Sequence, residues 1–244
     1  MKLIKIQKAV IAVLILVALV TACKEEDIVV GEGPVVTQTL AVDAFTGVNL
    51  ATVANITIIQ GSTQEVKAIG YANIIANIKT DVTDNVWDTE LEGTNRNLNL
   101  SLEITVPNIN RVVASSTGSI VIEDFVDQTA LGLEASSTGS ITLNRFEGIT
   151  ALSSVASSTG SITANSDIET LEELQLNVSS NSTFNGFPIN SDDCNVTCSG
   201  NGKARIVANN SLNVNMSGNA QVFFRGNPTI TQNISGNGML IDAN

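Results

Sequence analysis

The sequence predicts an all-β chain wound as a β-solenoid, and three observations predict it. First, the heptapeptide Ala-Ser-Ser-Thr-Gly-Ser-Ile stands at residues 114–120, 135–141 and 156–162, each copy 21 residues after the last. Looser copies begin at Val178, Cys198, Met216 and Ile234, so the leading serines fall at Ser115, Ser136, Ser157, Ser179, Ser199, Ser217 and Ser235. Second, columns aligned on those serines alternate apolar and polar with a period of two, as a strand with one buried face does. Third, Ser, Thr, Asn and Gly cluster between the two apolar stretches, which is the chemistry of a sharp corner.

The columns set the direction of each side chain. One residue before the serine stand Ala114, Ala135, Ala156, Val178, Cys198, Met216 and Ile234; five after it stand Ile120, Ile141, Ile162, Phe184, Ala204, Val222 and Leu240. Both columns are expected to face inward. Four before the serine stand Arg111, Gly132, Ser153, Gln175, Asn195, Asn213 and Thr231, an outward column. About seven regular coils of 18–22 residues fit the spacing. Such a coil cannot bury its inner face alone, whereas stacked coils build one continuous core. Gly and Asn of the corner are expected to take the left-handed backbone.

Equivalent side chains in a stack lie about 4.8 Å apart. Thr117, Thr138, Thr159, Asn181, Asn201, Asn219 and Asn237 are therefore expected to form a structural corner ladder of hydrogen bonds. Cys194 and Cys198 share one strand and both fall in inward columns, about 13 Å apart. A disulfide needs Cα atoms within about 7 Å, so two buried free thiols are expected.

Ahead of the repeats, residues 40–108 hold alternating patterns parted by Gly, Asn and Asp turns, read as irregular first coils that also cover the open end of the solenoid. Residues 24–38, with Gly31-Glu32-Gly33-Pro34, are read as a linker. Lys2, Lys5 and Lys8 followed by the apolar run 9–20 have the layout of a signal peptide, and the run is too short to span a bilayer. Val20-Thr21-Ala22-Cys23 resembles the lipobox of bacterial lipoproteins, with Cys23 as the lipidated residue. The expected organisation is a signal peptide at 1–22, a lipidated N-terminus and linker at 23–39, and one solenoid domain at 40–244. Lys24, Glu25, Glu26 and Asp27 resemble a surface-export tag, which implies an outer-membrane lipoprotein facing the cell exterior. A plain solvated linker there would leave it on the periplasmic side.

Composition narrows the function. Residues 1–22 contain three lysines and no acid, which leaves nine basic and 24 acidic residues and a net charge of −15. Nucleic acid and anionic headgroups are therefore not expected partners. The charge is uneven: from Cys194 onward Lys203, Arg205 and Arg225 face Asp242 alone. The chain has no histidine, so Ser-His-Asp and Cys-His catalysis and imidazole metal sites are excluded. Asp81, Asp84 and Asp88, Glu123, Asp124 and Asp127, Asp167 to Glu173, and Asp192 with Asp193 are the acidic groups that could hold calcium or act in pairs. No acid recurs at a fixed coil position, so a solvated surface is expected, with no metal, no cofactor and no catalytic residue.

Phe45 to Val48 (Phe-x-Gly-Val), Ile58 to Gly61 (Ile-x-Gln-Gly) and Val106 to Ile109 (Val-Pro-x-Ile), followed by the repeated Ser-rich corners, resemble the auto-transporter adhesin head domain family, also called the head GIN domain. The resemblance covers residues 40–240. It implies a β-helical, surface-facing domain of unassigned activity and identifies no receptor. The expected function is a non-enzymatic envelope lipoprotein, held to the membrane by lipid, presenting a rigid solenoid to a protein or glycan ligand. Two other readings stand beside it. A carbohydrate-active enzyme on this scaffold would need two carboxylates from successive coils in one groove. A self-associating scaffold would form a homo-oligomer through the strand edges of the last coil.

Overall fold

The computed structural model describes residues 28–244, apart from the side chains of Glu169 and Thr170; Cys23 and the tag at 24–27 lie outside the described residues. The described residues form a β-solenoid of stacked, mostly parallel strands, and among them the one helix is the short Ala72–Ile75. One face stacks Gly47–Leu50, Arg111–Ala114, Ala130–Ala135 and Ala151–Ala156. It continues through residues 173–178, 193–198 and 211–216 of three long strands, Ile168–Val178, Thr183–Cys198 and Lys203–Met216, and ends with Thr229–Ile234. Across the corner, the second face stacks Asn55–Gln60, Ser119–Ile122, Ser140–Leu143, Ser161–Ala164 and the first halves of the two longest strands, then Gln221–Arg225 and Met239–Asp242.

Seven repeated corners bound six full turns of 18–22 residues. Register confirms the columns: Ala114, Ala135, Ala156, Val178, Cys198, Met216 and Ile234 are neighbours, as are Ile120, Ile141, Ile162, Phe184, Ala204, Val222 and Leu240. All are buried except in the last coil, where Ile234 is 37 % exposed because no coil covers it. Each buried Ile or Leu of these columns contributes roughly 1.5–3 kcal/mol. A short third side closes each turn. Phe125 and Phe146 stack there at 5.5 Å in the early coils, and Ile168 pairs with Ile189 in the later ones.

The later corners bend at glycine as expected, whereas early corners bend at serine. At six of the seven corners the left-handed position is the one directly after the leading serine: Ser137 (φ 52°), Ser158 (56°), Ser180 (60°), Gly200 (66°), Gly218 (73°) and Gly236 (76°). Neither Gly139 and Gly160 nor the asparagines of the ladder adopt it. Gly139 and Gly160 are required for space, since a Cβ would lie 2.5 Å from the Ala114 carbonyl oxygen and 2.4 Å from that of Ala135. The early coils therefore hold serine in a conformation that costs an L-residue about 1–2 kcal/mol, and the later coils relieve it with glycine.

The N-terminal segment both begins the stack and closes its end. Gly47–Leu50 and Asn55–Gln60 form a regular coil in register with the next. Residues 61–106 then leave the stack and return over it: Val86–Asp88 pairs on the first face, Ser101–Val106 on the second. Glu65–Tyr71 adds antiparallel to Ser101–Val106, and Val35–Leu40 adds antiparallel to Glu65–Tyr71. Residues 28–40 are thus not a linker, because Ile28–Val30 and Val35–Leu40 are paired strands and the folded body begins before residue 40. Trp87 is fully buried, packs on Phe45 at 5.8 Å and donates its indole N–H to the Lys79 carbonyl at 2.9 Å. The Gln60 amide stitches separate turns, donating to the carbonyls of Pro107 and Val126 and accepting from the Val126 N–H at 3.0 Å.

Candidate functional site

In the later coils the outward side of the first face carries two columns of uncharged side chains, in line with Arg111 and Glu134 of the earlier coils and beside Glu173 and Asp193 on the same strands. Ser153, Gln175, Asn195, Asn213 and Thr231 form one; Val155, Asn177, Thr197, Asn215 and Asn233 form the other. Strand alternation puts them outward because Leu174, Leu176, Cys194, Val196, Leu212 and Val214 between them point into the core. Together they line a shallow groove of about 320 Å³ whose side chains include no charged group, in a chain of formal net charge −12.

Hydrogen bonds within this array are long. Asn213 reaches Asn195 at 3.4 Å, and Asn233 reaches Asn215 at 3.5 Å. Contacts of that length hold an amide weakly, so Asn213, Asn215 and Asn233 keep donors and acceptors for a ligand, whereas Gln175 donates to the Glu173 carboxylate at 2.9 Å. The corner ladder contrasts with it. Asn201 donates to Asn181 at 2.8 Å, Asn219 to Asn201 and Asn237 to Asn219 at 3.2 Å, and the hydroxyls of Thr117 and Thr138 meet at 2.8 Å. Thr159 turns instead to the Ser137 carbonyl. These corner groups satisfy one another from coil to coil.

Cys194 and Cys198 are buried and unpaired, the Cys194 thiol donating to the Val207 carbonyl at 3.5 Å. Burial pushes the Cys194 thiol up to about 12 and the Cys198 thiol up to about 11. Neither is therefore a thiolate at neutral pH.

Several acids singled out from the sequence take part in coil-to-coil bonds. Asp88 accepts from Asn49 at 2.8 Å, Glu123 from Asn144 at 2.7 Å, and Asp193 from Asn210 at 3.0 Å and from Ser211. Asp124 pairs with Arg145 at 3.2 Å. Among the described residues no three of these acids and cysteines converge as metal ligands. The sequence located the outward column containing Gln175, Asn195 and Asn213 but not its partner column or the groove. The run of uncharged polar residues in that column after Arg111 is the legible signal.

Solved structures share this architecture. An adhesin-like protein from Bacteroides fragilis, described as a "putative adhesin", superposes with a TM-score of 0.77 at 20 % identity over 87 % of this chain and 98 % of its own. A "putative adhesin" from Parabacteroides merdae gives 0.66 at 16 % identity over 89 % and 100 %. A "putative lipid binding protein" from Parabacteroides distasonis gives 0.68 at 15 % identity over 88 % and 98 %. At these identities the likeness establishes the fold. No curated protein matches the chain significantly. The family model described as "Putative auto-transporter adhesin, head GIN domain" matches residues 44–228. The sequence motifs, the stacked coils and this match agree: the chain belongs to the auto-transporter adhesin head GIN domain family.

Proposed function

We propose that the protein is a non-enzymatic cell-envelope lipoprotein that presents its solenoid for adhesion or contact with a facing surface. The observation that carries this reading is the uncharged amide and hydroxyl groove of the later coils, with its side chains repeating at the strand spacing and its asparagines only weakly bonded to one another. A rigid array of that kind offers many small polar contacts to an extended protein or glycan. Purified protein applied to arrays of glycans and matrix proteins tests it. Binding should occur and should weaken in an Asn195→Ala/Asn213→Ala variant whose circular dichroism is unchanged. Silence on every probe, or equal binding by the variant, sinks the reading.

Anchoring through Cys23 belongs to the same proposal. The first described strand starts at Ile28, five residues after Cys23, and a chain reaches at most about 3.6 Å per residue. The capped end of the solenoid would thus stand close to the membrane, and the last coil would point away. Export through the tag at Lys24 to Asp27 would set that coil outside the cell. Cys23→Ser should release the protein from the membrane fraction, and protease added to intact cells should digest the wild type. A protected protein would mean that it faces the periplasm.

A further inference from the structure

The uneven charge noted in the sequence becomes a surface feature in the fold. Lys203 and Arg205 leave the outward side of the second face from one rung, and Phe223 and Arg225 leave it from the next. Asn185 lies beside Arg205 on the rung before, and Met239 and Ile241 follow on the last. Met239 is 47 % exposed. Among the described residues no carboxylate pairs with Lys203, Arg205 or Arg225, whereas Lys67, Lys79 and Arg111 each hold one and Arg145 holds two.

Both guanidinium groups are braced. Arg205 lies over the Phe223 ring at 5.4 Å and donates to Asn185 at 2.6 Å. Arg225 lies over Phe187 at 4.1 Å and donates through Nε to the Ala243 carbonyl at 3.2 Å. Ring stacking and one hydrogen bond fix each fork without neutralising it. A fixed guanidinium matches a carboxylate in two parallel hydrogen bonds, and little side-chain entropy remains to be lost on binding.

The size and surroundings of the patch select among anions. At physiological salt, charges act over about 8 Å. A single polymer strand lying along the rungs meets the three cations within that distance. A flat anionic membrane would also meet the acidic remainder of the chain. We propose that this patch binds a carboxylated polysaccharide, with Arg205 and Arg225 each holding a carboxylate and Phe223 packing against the sugar chain. The site is distinct from the uncharged groove, which lies on the other face.

Polygalacturonate binding by the purified protein is the test, with dextran, phosphatidylglycerol vesicles and a single-stranded oligonucleotide as comparisons. The wild type should bind polygalacturonate, more weakly as salt rises, and should not bind dextran at this patch. Arg205→Gln and Phe223→Ala should each weaken binding, the first about tenfold. Arg205→Lys should recover part of the loss. Asn195→Ala/Asn213→Ala should bind polygalacturonate as the wild type does, which separates this site from the groove. The proposal is overturned if polygalacturonate is not bound or if Arg205→Gln binds it unchanged. Tighter binding to vesicles or to the oligonucleotide would also overturn it.

Discussion

The side-chain amide of Asn201 donates to the side-chain oxygen of Asn181 at 2.8 Å, across 20 residues of sequence and one coil of the stack. Asn219 repeats the contact on Asn201, so Asn201 both accepts and donates. Replacing Asn201 by Ala breaks two links. Because the site is exposed, the cost should be about 1 kcal/mol, read as a lower urea midpoint with an unchanged slope.

Gly139 makes a sharper prediction. A methyl group there would sit 2.5 Å from the Ala114 carbonyl oxygen and 2.9 Å from the Ala114 Cβ. The neighbours are backbone and packed core, which cannot swing aside. Gly139→Ala should destabilise by about 1–3 kcal/mol, while Ser137→Gly, two residues earlier at φ 52°, should be tolerated. Thermal melts of the two variants check both directions.

Ser154 stands in an inward column between Leu133 and Leu176. It is 1 % exposed, and its hydroxyl has no partner. Ser154→Ala removes that buried orphan and should raise stability by about 1 kcal/mol. A fall in the melting temperature would contradict the assignment.

The thiols predict a pH dependence. Burial raises Cys194 from 9.0 to about 12 in the folded chain, so the fold favours the neutral thiol. The associated stability is complete below pH 9.0 and is lost as pH climbs toward about 12. Urea midpoints should fall across that interval, and less so in Cys194→Ala after correction for its own lower baseline. At pH 8 neither thiol should react with a disulfide reagent until the protein unfolds.

The repeat made the stack legible, because serine spacing and the apolar columns on either side fix which residues pair. Ala114 against Ala135 and Ile120 against Ile141 follow directly from the 21-residue step. What stayed hidden depends on contacts that the repeat does not encode. Val35–Leu40 looked like linker because only its antiparallel partner Glu65–Tyr71 makes it a strand. The left-handed serines are not legible because an L-residue rarely takes that conformation and the motif offers a glycine, Gly139, two residues beyond Ser137. The cationic patch required knowing that Arg225 reaches back over Phe187.

On the proposed function, the solenoid meets surfaces outside its own cell. Attachment of intact cells to immobilised glycans and matrix proteins measures it most directly, comparing the wild type, a deletion strain and the deletion strain carrying the Asn195→Ala/Asn213→Ala protein. Attachment should be lost on deletion, restored by the wild-type gene and only partly restored by the variant. Equal attachment by wild-type and deletion strains on every surface would contradict the account.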